Sequence, residues 1–313
     1  MIEIKNICMS FDAGKGNGIE YAVKDLSLDI PEGCIYGFLG SNGAGKSTLM
    51  RLMSGIYRPR SGQILIDGQP VFDNPAAKEK LFFVNDETTQ FTNYTIDELS
   101  RFYSGAYKDF SKETLDRVLK ALDLPKDKRL STFSKGMKRQ AIVAIGLAAN
   151  TKYLIFDEAF DGLDPAMRKM VKQIITDEIF DREASLIVSS HNITEISELC
   201  DSAMLLHKGE LLFASELDKL RTGFCKVQLV IRDKDTDSDG LRRMLEEQGI
   251  SVMKISSLGS VFQLVLRCSE QEAVEKLKAI SPSMTESVPL TLEEIFIYEL
   301  EVKGYGTDLI TEN

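Results

Sequence analysis

The chain of 313 residues is long enough for two domains of ~150 residues, and 38 Lys plus Arg stand against 48 Asp plus Glu, a formal charge of −10. That balance argues against a protein that binds nucleic acid by broad phosphate neutralisation, and an apolar fraction of 43% is too high for a disordered chain. No apolar run approaches the ~20 residues of a membrane-spanning helix; the longest, 141–149, is interrupted by Gly146.

The first ten residues have no charged-then-apolar signal pattern, so a cytosolic chain is expected. Five cysteines (Cys8, Cys34, Cys200, Cys225, Cys268) are scattered without metal-ligand or disulfide spacing. They are expected to be reduced and buried.

In chain order, residues 2–7 alternate apolar and polar as a strand does. Residues 34–39 form a short apolar run ending at Gly40. From about residue 87 to 150 the pattern turns helical, with Leu115, Val118, Leu119 and Leu122 on one face. Two further apolar runs, 153–156 and 185–189, are followed at once by polar groups. Such runs suit buried parallel strands, whose C-terminal ends carry the chemistry in open α/β sheets. The expectation over residues 1–221 is therefore an α/β lobe with an inserted helical subdomain at about 87–150. The pattern shifts near Arg221-Thr222-Gly223. Residues 224–313 read as βαββαβ plus a last helix opened by a Thr291/Glu294 capping box, the order of a small α+β ferredoxin-like domain.

The chemistry starts at Gly40-Ser41-Asn42-Gly43-Ala44-Gly45-Lys46-Ser47-Thr48, which fits GxxxxGK[ST] between a predicted strand and a predicted helix. In that pattern glycines let backbone N–H groups cradle phosphate oxygens. Lys46 then reaches the β- and γ-phosphates, and Ser47 offers a hydroxyl to Mg²⁺. The run 153–156 ends in Asp157-Glu158. Asp157 at the strand end suits the Mg²⁺ shell, and Glu158 suits a general base for the attacking water. The run 185–189 leads to His191, placed to sense a γ-phosphate. The other histidine, His207, precedes Lys208-Gly209 and reads as part of a hairpin turn.

The phosphate loop, Phe133-Ser134-Lys135-Gly136-Met137, Asp157-Glu158, Gly162-Leu163-Asp164 and His191 occur in one order over residues 1–220. Together they resemble the ATP-binding subunit of an ATP-binding cassette (ABC) transporter. The resemblance implies a P-loop nucleoside-triphosphatase fold with a RecA-like lobe. It implies an ATPase whose substrate is ATP and whose metal is Mg²⁺, acting as a homodimer or heterodimer. The partner it implies is an integral membrane permease that holds the chain on the inner face of the cell membrane, with no nucleic-acid partner. Ser134, Lys135, Gly136 and Met137 fall on the signature that contacts ATP bound to the opposite subunit. Asp164 falls on the acid that communicates across the dimer. Phe11 falls on the aromatic that stacks on adenine, with Tyr21 as the alternative.

Two positions depart from the family pattern. Lys135 and Met137 stand where glycine and glutamine are usual in the signature. The glutamine expected beside Mg²⁺ falls on Asp86, with Asn85 and Gln90 as register alternatives. Both departures, and the run from Thr291 to Phe296, resemble the branch that serves peptide-antibiotic export and resistance. The function expected is to power transport, by export, through a separate permease. The rival reading is a soluble ABC-type ATPase or a regulatory scaffold without a permease.

Overall fold

The computed structural model describes residues 1–11, 20–85, 91–231 and 237–302. The chain forms two compact units, Met1–Ala214 and Ser215–Asn313. Among the described residues no helix is long and apolar enough to cross a membrane.

In the first unit, β1 (Ile2–Ser10) and β2 (Tyr21–Ile30) pair antiparallel, with Ile2 opposite Ile30. On its other side β1 pairs β4 (Ser61–Ile66), with Ile2 opposite Ile66, and β5 (Gln69–Pro70) closes the sheet. The alternation of apolar and polar residues turns Ile2, Ile4, Ile7, Leu26 and Ile30 inward. They pack on β3 (Ile35–Leu39) and α1 (Lys46–Met53), which supplies Leu49, Met50, Leu52 and Met53 to the same core. Each such side chain, fully buried, contributes ~1.5–3 kcal/mol.

The chain continues through α2 (Pro75–Lys78), β6 (Leu81–Val84), α3 (Ile96–Ala106), α4 (Lys112–Ala121), α5 (Lys135–Ala148) and β7 (Tyr153–Phe156). It ends the unit with α6 (Pro165–Asp181), β8 (Ser185–Ser190), α7 (Ile193–Leu199), β9 (Ser202–His207) and β10 (Glu210–Glu216). The second sheet runs β10-β9-β3-β8-β7-β6. Within it β9, β3, β8, β7 and β6 run parallel to one another. Every residue of β3, β7 and β8 is buried, as parallel strands covered on both faces require. Three helices carry the segment between β6 and β7. Thr95 and Glu98 form a capping box on α3, and Ser111 and Ser134 cap α4 and α5. Leu115, Val118, Leu119 and Leu122 are buried on one side, as their spacing dictates.

The second unit contains α8 (Leu217–Thr222), β11 (Cys225–Val230), α9 (Ser238–Glu247), β12 (Val252–Leu258), β13 (Val261–Leu266), α10 (Glu270–Leu277), β14 (Met284–Val288) and α11 (Leu292–Val302). Its antiparallel sheet runs β12-β13-β11-β14. Val227, Leu229, Leu241, Leu245, Leu264 and Leu266 fill its core. The division falls ahead of Arg221–Gly223, because α8 packs on α11 within the second unit. The chain changes unit one helix before its hydropathy pattern changes.

The antiparallel first sheet was not legible beyond β1, because β2 and β4 also bear many exposed polar residues. The cysteine expectation needs one correction. Cys200, Cys225 and Cys268 are buried, but Cys8 and Cys34 are only half-buried. Cys8 lies at a register shift in β1, and Cys34 precedes the covered part of β3.

Candidate active site

The parallel order of the second sheet brings the C-terminal ends of β3, β7 and β8 side by side. Open α/β sheets hold their ligands at such ends. The loop after β3 turns through Gly40 at φ 155 and Gly45 at φ 107, where a side chain is strained. Space is closed as well: a Cβ at Gly40 would lie 2.4 Å from the Leu206 carbonyl oxygen, and one at Gly45 2.2 Å from that of Ala22. The Gly209 N–H donates to the Ala44 carbonyl at 2.9 Å, so the β9–β10 turn supports the loop from behind.

Gly45 caps α1 without a side-chain acceptor, which leaves the first N–H groups of the helix open to an anion. The Lys46 ammonium is buried and donates to the Gly40 carbonyl at 2.6 Å and the Ser41 carbonyl at 3.1 Å. Burial lowers its pKa, against the opposing pull of the Glu158 and Asp157 carboxylates.

Asp157 ends β7 and is wholly buried. Its Oδ1 accepts from the Ser189 hydroxyl at 2.6 Å. Its Oδ2 is buried with no hydrogen-bond partner among the described residues. An unpaired buried carboxylate oxygen is costly unless a cation completes it. Such a hard carboxylate oxygen, with the Ser47 hydroxyl of the first turn of α1, is a donor type that fits Mg²⁺.

Glu158 sits at φ 49, a strained backbone for a long side chain that costs roughly 1–2 kcal/mol. Its N–H donates to the Ser189 hydroxyl at 2.9 Å. Burial raises its pKa, and the Asp161 and Asp157 charges add to that rise, while Lys46 and His191 oppose it. The ligand atoms of Glu158, Asp161 and His191 all lie within 4.8 Å of one another. A carboxylate held more basic than usual is suited to take a proton from water.

Ser134 caps α5, its hydroxyl accepting from the Met137 N–H at 3.1 Å. A Cβ on Gly136 would stand 3.0 Å from the Gly162 carbonyl oxygen, and the stem of Lys135 lies along Gly162. The predicted signature therefore packs on the 161–164 loop of its own chain. Asp164 caps α6 by accepting from the Met167 N–H at 3.0 Å, with Pro165 next in the chain. Phe11 is exposed and meets Tyr57 edge-on, 5.6 Å between ring centres. Asp86 and its alternative Gln90 lie outside the described residues. Asn85 is described, and its carbonyl accepts from the buried Arg139 of α5 at 2.6 Å.

Three of these residues were not picked out from sequence. Asp161 had a weak signal, an acid three residues after Glu158. Ser189 stood as one of two polar residues ending an apolar run. Arg139 gave no signal, because arginines on helices are ordinarily exposed.

A phosphate loop on a parallel sheet, a buried acid at the end of a neighbouring strand and a second acid beside it define a P-loop nucleoside triphosphatase. The family model "ABC transporter" matches residues 23–161. The ABC transporter ATP-binding protein YtrB of Bacillus subtilis (strain 168) is 29% identical over 95% of this chain and 97% of its own length. The bacitracin transport ATP-binding protein BcrA of Bacillus licheniformis is 29% identical over 81% of this chain and 94% of its own. A solved structure of an ATP-binding subunit of an ABC transporter is 25% identical, with a TM-score of 0.62, over 70% of this chain and 91% of that one. The chain belongs to the ABC transporter family, as an ATP-binding and ATP-hydrolysing subunit of a transporter.

Proposed function

We propose that this subunit powers transport through a separate membrane permease by ATP-driven dimerisation, with export as the direction. The observation that carries the catalytic part is the buried, unpaired Asp157 Oδ2 beside the Lys46 loop. In this reading, loop 40–48 holds the ATP phosphates on backbone N–H groups, Lys46 exchanges its carbonyl partners for β/γ oxygens, and Phe11 stacks on adenine. Ser47 and Asp157, with Asp86, hold Mg²⁺, which when bound neutralises charge on the phosphates. Glu158 takes the proton of the attacking water, and His191 contacts the γ-phosphate.

One loop leaves much of the γ-phosphate charge exposed. A second subunit offers the N-terminus of its α5, with Ser134, Lys135, Gly136 and Met137, to the same phosphate. Asp164 sits at the junction of the two subunits. Two ATP molecules then hold the dimer, and hydrolysis releases it.

A cleft of about 430 Å³ lined by Arg51, Tyr57, Phe83, Asn85, Phe91 and Tyr103 supports permease docking, since it lies between the end of β6 and α3 of the helical segment. Docking there would set the chain on the inner face of the membrane. Similarity to a bacitracin transport protein supports a transport role.

The test is light scattering of Glu158→Gln with and without Mg-ATP. A dimer that forms only with Mg-ATP and dissolves on adding Ser134→Arg is expected. A monomer at saturating Mg-ATP would overturn the homodimer form of this reading.

A further inference from the structure

The catalytic reading uses Glu158 and His191 but has no task for Asp161. Yet the three side chains present two carboxylate oxygens and one imidazole nitrogen within 4.8 Å of one another. Two segments of the fold converge to do this, the loop after β7 and the end of β8. Glu158 leaves β7 at φ 49 with its N–H tied to Ser189. The Asp161 N–H donates to the Glu158 carbonyl at 3.2 Å, closing a turn that brings both acids to one side. His191 follows directly on β8, two residues after Ser189.

We propose that Glu158, Asp161 and His191 form a binding site for a transition-metal dication, distinct from the Ser47/Asp157 magnesium pair, and that an ion bound there arrests hydrolysis by occupying the Glu158 carboxylate.

The donor set decides the class of ion. Two carboxylates and an imidazole suit Zn²⁺, Co²⁺ or Mn²⁺, whereas Mg²⁺ takes oxygen ligands and sheds water reluctantly. Ligand bonds of ~2.0–2.2 Å place donor atoms ~3–4 Å apart, so half-buried and exposed side chains need only small rotamer changes to close from 4.8 Å. Two acids packed this closely repel each other, and a dication relieves that repulsion. The bond that forms is coordination alone: the metal takes a lone pair from each donor, and water and any carboxyl or imidazolium proton leave. A Glu158 carboxylate bound to a dication is much less basic and is held in the metal's coordination geometry, so it no longer takes the proton of the attacking water. Asp161 is the residue specific to this site, since the proposed hydrolysis runs without it. The metal-binding half stands on geometry alone, and only the arrest rests on Glu158 as the general base.

The experiment titrates the nucleotide-free full chain with Co²⁺, read by its visible absorbance, in millimolar Mg²⁺. One bound equivalent, displaced by Zn²⁺ and not by Mg²⁺, is expected. Asp161→Asn should weaken it at least about tenfold without shifting the melting temperature, and Asp161→His should restore it. Zn²⁺ should then inhibit Mg-ATP turnover of the wild type at concentrations at least about tenfold below those needed for Asp161→Asn. Equal Co²⁺ affinity in wild type and Asp161→Asn, or displacement by Mg²⁺, overturns the site. Asp161-dependent binding without Zn²⁺ inhibition overturns the arrest. A wild type that binds Co²⁺ as expected yet turns over no ATP would instead count against the catalytic assignments.

Discussion

The Ser189 hydroxyl donates to Asp157 Oδ1 at 2.6 Å and accepts from the next residue's N–H, that of Glu158, at 2.9 Å. One side chain on β8 thus orients two consecutive acids at the end of β7. It occupies one oxygen of Asp157 and leaves the other unpaired. It also holds the Glu158 backbone in its strained turn. The two acids are given different environments, as different tasks require.

Glu158→Gln keeps the shape of the side chain but cannot accept a proton. Its ATP turnover should fall about 10²–10⁴-fold, with ATP affinity close to wild type. Single-turnover hydrolysis beside equilibrium binding separates the two effects. Normal turnover would remove Glu158 from the role of base.

Lys46→Ala removes the buried cation that spans two loop carbonyls. Hydrogen bonds to charged groups are worth ~1.5–3 kcal/mol, so ATP affinity should drop about 10- to 100-fold. Fluorescent-nucleotide titration reads this directly. Undiminished affinity would mean that the phosphates do not sit on this loop.

Gly45→Ala tests the backbone of the same loop. The added methyl would meet the Ala22 carbonyl at 2.2 Å, and φ 107 is unfavourable for alanine. The expected loss is about 2 kcal/mol, or roughly 4–8 °C in melting temperature, together with weaker ATP binding. Gly43→Ala, where nothing lies within 4 Å, isolates the strain of a positive φ from the clash.

Asp67 lies at φ 50 between β4 and β5 and accepts from Tyr153 Oη at 2.6 Å, Lys80 Nζ at 2.9 Å and Lys152 Nζ at 3.0 Å. Burial alone would raise its pKa, but these donors outweigh it and hold the carboxyl well below the usual range. The folded pKa is therefore lower than the unfolded one. Its stabilisation is fully present above the unfolded value, near 4, and is lost as pH falls below it. Asp67→Asn should lower the melting temperature at pH 7, and the gap to wild type should narrow as the pH is taken from 5 towards 3. A gap that stays constant over that range would show that the charge of Asp67 contributes nothing.

Much of the site was legible because its chemistry is local in sequence. A phosphate cradle needs its glycines and lysine within one short loop, and the acids must directly follow a strand. Gly40 to Thr48, Asp157 and Glu158 therefore appear as contiguous runs, and the buried strands β3, β7 and β8 appear as apolar stretches before them. The helical periodicity of α4 and the Thr291/Glu294 cap were legible for the same reason, since each depends on neighbours three or four residues apart.

What only the tertiary structure decided depends on contacts between strands and between helices distant in sequence. The Ser189 bridge to Asp157, the gathering of Asp161 with His191 and the burial of Arg139 against Asn85 join segments that no local period links. The boundary at Ser215 was set by the packing of α8 on α11, which outweighs the change of pattern that follows it. Sequence by itself determined which residues form the glycine-rich loop and the two acids that follow β7, because each pattern is written within a single short run. The parallel sheet decided which groups surround them, because strand order places β8 beside β7 whatever the local sequence of either.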